Sequence, residues 1–329
     1  MPSQAYREPL FDLFSFARRG PGRRVHLSPG EIQQVARTVH RAPEVMVKVL
    51  PKPANTLAAV RKHFGYIGRR GELDLETDDG ERLRGTHVGT DLVEDWDLDL
   101  DDYRRKSDLT ATRGKEPARL VHKVIFSMPA GTPPENVLTA VKNFAREEFA
   151  LKHRYMMALH TDTPRPHVHV VIKAVSEQGQ RLHIRKATLR EWRSEFARQL
   201  RTLGVAANAT PRFVRGETGL RKPDGIYRAS LRGESTYMRE RAEAVAQELA
   251  RGKLRVEPGK ASLVSTRNEV RRAWMRVGDI LIRQQQPELA AHVKRFSDDM
   301  PTPQTEKEWI AARLAARTRD PRAREGPTH

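Results

Sequence analysis

Between residues 155 and 172 apolar and polar positions alternate in two short runs separated by a polar, proline-containing stretch. In His167-Val168-His169-Val170-Val171-Ile172 the side chains of a strand point to opposite faces in turn. His167 and His169 then share one face, while Val168, Val170 and Ile172 enter a core. Tyr155-Met156-Met157-Ala158-Leu159-His160 reads as a second strand, and residues 161–166, with two prolines, as the turn between them. Such a hairpin brings His160 back beside His167 and His169. Further strands are predicted over 44–50, ended by Pro51 and Pro53, and over 119–127, with an edge strand at 181–185. Helical spacing predicts helices over 28–40 (Ser28 as cap, Pro29 in the first turn), 54–66, 133–149 and 188–203. In 54–66 the stripe is Leu57, Val60, Phe64 and Ile67. In 188–203 it is Leu189, Trp192, Phe196 and Leu200, with Arg190, Arg193, Arg198 and Arg201 off it. Beyond 232 the chain reads as charged helices over 235–254, 262–284 and 305–317, the last two separated by Pro301-Thr302-Pro303. Hairpin strands mixed with helices make this an α+β chain. There is no internal repeat and no heptad seam.

A length of 329 residues suits one large domain or two. Three segments are expected: a basic arm over 1–28, a main domain over 29–225, and a helical basic region over 226–329. The formal net charge of +18, from 60 Lys and Arg, points to a polyanionic partner, nucleic acid or an anionic membrane. No apolar run approaches a bilayer span and no signal peptide opens the chain, which weakens the membrane option. The absence of cysteine excludes disulfides and Cys-ligated zinc, so any metal is held by His and carboxylate. A cytosolic location fits. One segment runs against the charge: 72–102 carries thirteen acidic residues against Arg82 and Arg84. It reads as a solvated acidic loop that lies away from the polyanion or masks its path.

His160, His167 and His169 on one face, with Asp162 in the turn, would make an open site for a divalent metal; half-buried structural histidines are the plainer alternative. By ligand type three imidazoles suit Mn, Zn, Ni or Co. Tyr66 closes the 54–66 helix in Gly65-Tyr66-Ile67-Gly68-Arg69-Arg70, where small neighbours leave its ring approachable. On the local sequence alone it reads as a core tyrosine. Arg61, Lys62, Arg69 and Arg70 around it could hold a DNA phosphate. The arm Arg18-Arg19-Gly20-Pro21-Gly22-Arg23-Arg24 could touch phosphates too, or be an ordinary unstructured start.

His-Thr-Asp-Thr, a short turn and Pro-His-Val-His-Val-Val resembles the metal motif of HUH relaxases, endonucleases that nick plasmid or integrated-element DNA at an origin of transfer. His-x-Asp upstream and Pro-His-x-His downstream is similar to the mobilisation and Ti-plasmid type. The resemblance spans roughly residues 40–215 and does not reach the C-terminal region. It implies a central antiparallel sheet with flanking helices, followed here by the helical basic region, and Mg or Mn as the metal. It also implies a nucleophilic tyrosine N-terminal to the histidines, on a helix after the first strand. Tyr66 matches that placement better than Tyr6, Tyr103 or Tyr155. Asp162 would orient a ligand histidine, accept a proton or itself bind metal. Ser127 resembles a DNA-contacting serine, a strand-end hydrogen bond being the simpler reading. Arg190 and Arg193 would form a backbone-binding surface or a solvated face. The implied partners are single-stranded DNA at an origin of transfer, auxiliary relaxosome proteins and a type IV secretion coupling protein. The implied setting is the bacterial cytoplasm, with passage to a recipient cell alongside the DNA. The competing classes are a rolling-circle replication initiator or transposase, whose tyrosine follows the histidine pair, a non-catalytic nucleic-acid-binding protein, and a metal hydrolase using water.

Overall fold

The computed structural model describes residues 11–17, 24–51, 54–107, 119–217, 226, 229–230, 232–252 and 254–319. By internal contacts they separate into two units, one over 40–209 and one combining 11–39 with the residues from Thr210 onward.

The first unit is built on a six-stranded antiparallel sheet: β1 (Met46–Val49), β2 (Leu75–Thr77), β3 (Arg82–Leu83), β4 (Val121–Ser127), β5 (Tyr155–His160) and β6 (His167–Lys173). Their spatial order is β1-β4-β6-β5-β2-β3. The alternation read in the sequence decides what covers each face. Val168, Val170 and Ile172 of β6, with Val124 and Phe126 of β4, pack under Phe144 of α6 (Pro134–Phe149) and under Trp192 and Phe196 of α7 (Lys186–Thr202). On the other face Val171, Met156 and Ala158 pack against Val60, Phe64 and Ile67 of α3 (Leu57–Ile67). The histidines belong to this second face. Thr56 caps α3 by accepting from the Ala59 amide, and the Gly68 amide closes it on the Phe64 carbonyl.

The acidic segment differs from the expected loop. Residues 72–102 hold β2, β3, α4 (Val88–Asp95) and the start of α5 (Leu98–Ser107). Leu75, Val88, Leu92, Val93, Trp96 and Leu98 are buried in the core beneath α3. The carboxylates between them face the domain's own cations. Arg154 meets Asp78, Asp79 and Asp95, Lys142 meets Glu76, and Lys173 meets Asp101. The edge strand expected at 181–185 reduces to one bridge, Val175 to Arg181.

The second unit contains α1 (Leu13–Ala17), α2 (Pro29–Val39), α8 (Thr236–Ala250), α9 (Lys260–Arg283), α10 (Pro287–Asp298) and α11 (Glu306–Arg319). Leu13, Phe16, Val35, Val277 and Val293 surround Trp274, whose indole N–H donates to the Val214 carbonyl at 2.8 Å. Leu13 to Ala17 is therefore a buried helix rather than part of a free arm. Arg24 forms a bidentate pair with the buried Glu31. Arg18 to Arg23 and Tyr6 lie outside the described residues. The C-terminal region is helical as expected, with α10 an element the sequence pattern had not separated. No described helix is long and apolar enough to cross a membrane.

Candidate nuclease and metal centre

The hairpin register places His160 directly opposite His167 and Ala158 opposite His169. The ring centroids lie 5.3 Å apart for His160 and His167, 4.5 Å for His160 and His169, and 5.3 Å for His167 and His169. One nitrogen of each ring is within 4.8 Å of the others, so the three could hold a metal ion. Backbone carbonyls fix which nitrogen two of the rings offer. His160 Nε2 donates to the Ile67 carbonyl at 2.7 Å and His167 Nδ1 to the Arg165 carbonyl at 3.1 Å, leaving Nδ1 of His160 and Nε2 of His167 free. Burial lowers the His160 pKa, aided by the charges of His167 and Arg69. Burial and the neighbouring imidazoles push His169 down to about 3. Neutral rings with free lone pairs are what a dication requires, so the donor set fits one.

Helix α3 brings Tyr66 to this group. The residue is 59% exposed, which removes the core-tyrosine reading, and its ring stands edge-on to His169 at 6.3 Å. Because Ile67 supplies the carbonyl that holds His160, the residue next to Tyr66 is tied to a candidate metal ligand. A second tie follows at once: Arg69 donates to Asp162 at 2.5 Å, and this hydrogen bond holds the Asp162 carboxyl below the usual range. Among the described residues Asp162 pairs with Arg69 rather than with a histidine, while the two carbonyls do the orienting. Arg69 and Arg70 both adopt positive φ, 50° and 57°, in the short 3-10 turn Arg69–Gly71. Gly71 follows at φ 94°, where an added Cβ would meet the Gly85 carbonyl carbon at 2.5 Å.

The remaining candidates divide between the sheet faces. Ser127 lies opposite His167 on the histidine face, buried, its hydroxyl 3.4 Å from the Met128 carbonyl. Arg61 and Lys62 are exposed on α3 and Arg70 on the turn. Arg190 and Arg193 ride on α7, across the sheet from the histidines, and Arg193 donates to the Val47 carbonyl. The structure does not bring these two to the site. Tyr155 is buried in the α6–α7 core, its hydroxyl pushed up to about 12 by that burial.

The sequence reading passed over His63, one turn before Tyr66. Its ring stacks on Tyr66 at 6.2 Å and meets His169 at 6.5 Å. The i, i+3 spacing to Tyr66 was the available signal.

Residues 75–204 match a relaxase family model described as MobA/VirD2-like, nuclease domain. That span includes the three histidines, Asp162 and Ser127; Tyr66, Arg69 and Arg70 precede it. The T-DNA border endonuclease VirD2 of Rhizobium radiobacter is 27% identical over 146 residues, which is 39% of this chain and 31% of that protein. The matched stretch thus spans about a third of the relative's length. No solved structure matches. Together with the six-stranded antiparallel sheet and the three converging imidazoles, this match identifies residues 75–204 as a relaxase nuclease domain of the MobA/VirD2-like, HUH type.

Proposed function

We propose that this domain nicks one strand of DNA at an origin of transfer by transesterification onto Tyr66. The observation that carries the reading is the exposed phenol standing 6.3 Å, ring to ring, from His169 of the three-imidazole group. A phosphodiester is anionic and repels nucleophiles, so the site must both cancel charge and present the attacking atom. A divalent cation, Mg or Mn by family, held by His160, His167 and His169, would supply charge neutralisation at the scissile phosphate. Tyr66 Oη attacks phosphorus and forms the O–P bond, while the P–O3′ bond breaks. The phenol proton leaves to a base and the departing 3′ oxygen takes one up. The products are a 5′-phosphotyrosyl adduct and a free 3′ hydroxyl. The phosphoester bond is conserved, so reverse attack by a 3′ hydroxyl reseals the strand without ATP.

The chain's own groups prepare this step. Ile67 holds His160, and the Arg69–Asp162 pair anchors the turn after Tyr66 to the histidine hairpin. Arg61, Lys62 and Arg70 are exposed on the helix and turn that carry the nucleophile, suited to backbone phosphates. Ser127, paired opposite His167, shares the histidine face, which supports its assignment to the strand-binding side. In this reading the protein works in the bacterial cytoplasm during conjugative transfer or mobilisation. Auxiliary relaxosome proteins and a secretion coupling protein are its partners, and it can pass to the recipient with the strand.

The test is incubation of the full chain with end-labelled single-stranded oligonucleotides tiled across an origin of transfer, with Mg or Mn, followed by a denaturing gel. A protein-linked species that is absent with Tyr66→Phe is expected. Cleavage without an adduct would instead assign the chemistry to water, and binding without cleavage would leave a nucleic-acid-binding protein.

A further inference from the structure

His63 has a buried nitrogen with no visible purpose. Its Nε2 is inaccessible to water and has no hydrogen-bond partner among the described residues. Buried polar atoms in native proteins are almost always paired, and an unpaired one beside a candidate active site calls for a partner such as a water, an ion or a bound group. If packing were the whole of its role, an apolar ring of the same size would serve better.

Three roles can be weighed against the geometry. Metal ligation is disfavoured, because the nitrogens that converge within ligand distance are those of His160, His167 and His169. Proton abstraction from Tyr66 is disfavoured by the ring orientation. The two rings are nearly parallel, 18° apart, and the lone pair of an imidazole lies in its own plane, not toward a stacked neighbour. The third role is a hydrogen bond to the substrate. The surroundings are cationic: Lys123 lies close enough to act on His63, and Arg69 on its neighbour His169. An N–H in cationic surroundings, between the attacking ring and the histidine group, suits an anionic acceptor.

We propose that His63 is a further strand-binding residue of the nicking site, its Nε2–H, buried in the strand-free chain, donating to a phosphate oxygen of the bound single strand once the exposed Tyr66 ring stacked on it turns toward that strand. This inference rests on the strand-nicking reading above.

The experiment uses the full chain and fluorescein-labelled (dT)30, (dA)30 and (dC)30, read by fluorescence anisotropy, beside thermal melts. His63→Phe, which keeps the ring and removes the nitrogens, is expected to weaken binding to all three by about tenfold. The same change raises the melting temperature by about 2–5 °C, since the unpaired group is gone. His63→Gln, whose amide places a donor near the Nε2 position, keeps affinity within about threefold of wild type. Unchanged affinity in His63→Phe, a melting temperature below wild type, or a His63→Gln as weak as His63→Phe would overturn the proposal. A defect confined to one base would do the same, since it would assign the nitrogen to a base edge. If wild type binds none of these oligonucleotides and forms no adduct with the origin oligonucleotides, the strand-nicking reading itself falls. If wild type binds and forms the Tyr66 adduct while His63→Phe matches it, only the His63 assignment is lost.

Discussion

Asp162 and Arg69 are 93 positions apart in the chain and 2.5 Å apart in space, and both are well exposed, their side chains at 51% and 36%. An ion pair so open to water adds at most about 1 kcal/mol to stability. Its worth lies in geometry, since it fixes the turn that follows Tyr66 against the turn that joins the candidate metal ligands. Asp162→Asn should therefore leave the melting temperature within about 2 °C of wild type. It should lower kcat for nicking by about tenfold without raising KM for the oligonucleotide, because Arg69 stays available to phosphate. A raised KM with unchanged kcat would place Asp162 in binding instead. Gly71 is constrained differently, by its positive φ and by the Gly85 backbone against it. Gly71→Ala should cost about 1–3 kcal/mol in chemical denaturation, and nicking should weaken as the Arg69–Gly71 turn is displaced. Asp162 was visible in the sequence, but its partner was not, because a short motif says nothing about a residue 93 positions upstream. His63 was missed for a related reason: its i, i+3 spacing to Tyr66 means little until the neighbours of Tyr66 in space are known.

At the level of elements, the hairpin β5–β6 was readable because period-two alternation is a direct consequence of strand geometry, and Val168, Val170 and Ile172 had one face to bury. Its consequence is a preformed group of three neutral imidazoles. Adding Mn to the wild-type chain should raise its melting temperature by about 5–10 °C at a hundredfold excess over the dissociation constant. His169→Ala should abolish that rise and the heat of Mn binding in calorimetry; a shift that survives in the variant would place the ion elsewhere. The acidic segment was misread because its charge density hid a helical stripe. Val88, Leu92 and Trp96 recur at four-residue spacing, and all three are buried beneath α3. Removing residues 72–102 would take away six of the fifteen buried residues of that core. Deletion therefore cannot test masking of a DNA path, and charge-neutralising substitutions on exposed carboxylates are the suitable tool.

For the molecule as a whole, net charge announced a polyanionic partner, while the distribution of that charge needed the fold. Five of the thirteen acidic residues of that segment pair with Arg154, Lys142 and Lys173 of its own unit. The separate charge stripe on α7 turned out to lie across the sheet from the histidines. Histidine burial gives the nuclease unit an acid weakness. Desolvation lowers His63 and His122 to about 4 and His169 to about 3 in the folded chain, against an unfolded value near 6.5. The unfolded chain thus binds more protons than the folded one between those limits. Stability is fully present above about pH 6.5 and falls as pH drops through 6 and 5 toward 4. Denaturant melts of the metal-free protein should show that slope, and His122→Gln should shallow it; a flat profile from pH 7 to 4.5 would contradict the burial of these rings.

The central claim is that the exposed phenol beside the histidines is the atom that joins DNA. It is tested most directly by digesting the covalent product of the full chain, an origin oligonucleotide and Mn with trypsin and nuclease, then sequencing the nucleotide-bearing peptide by mass spectrometry. The account predicts the added mass on residues 63–69, whose one tyrosine is Tyr66. The same mass on a peptide carrying Tyr103, Tyr155 or Tyr237, or its persistence in Tyr66→Phe, would contradict it.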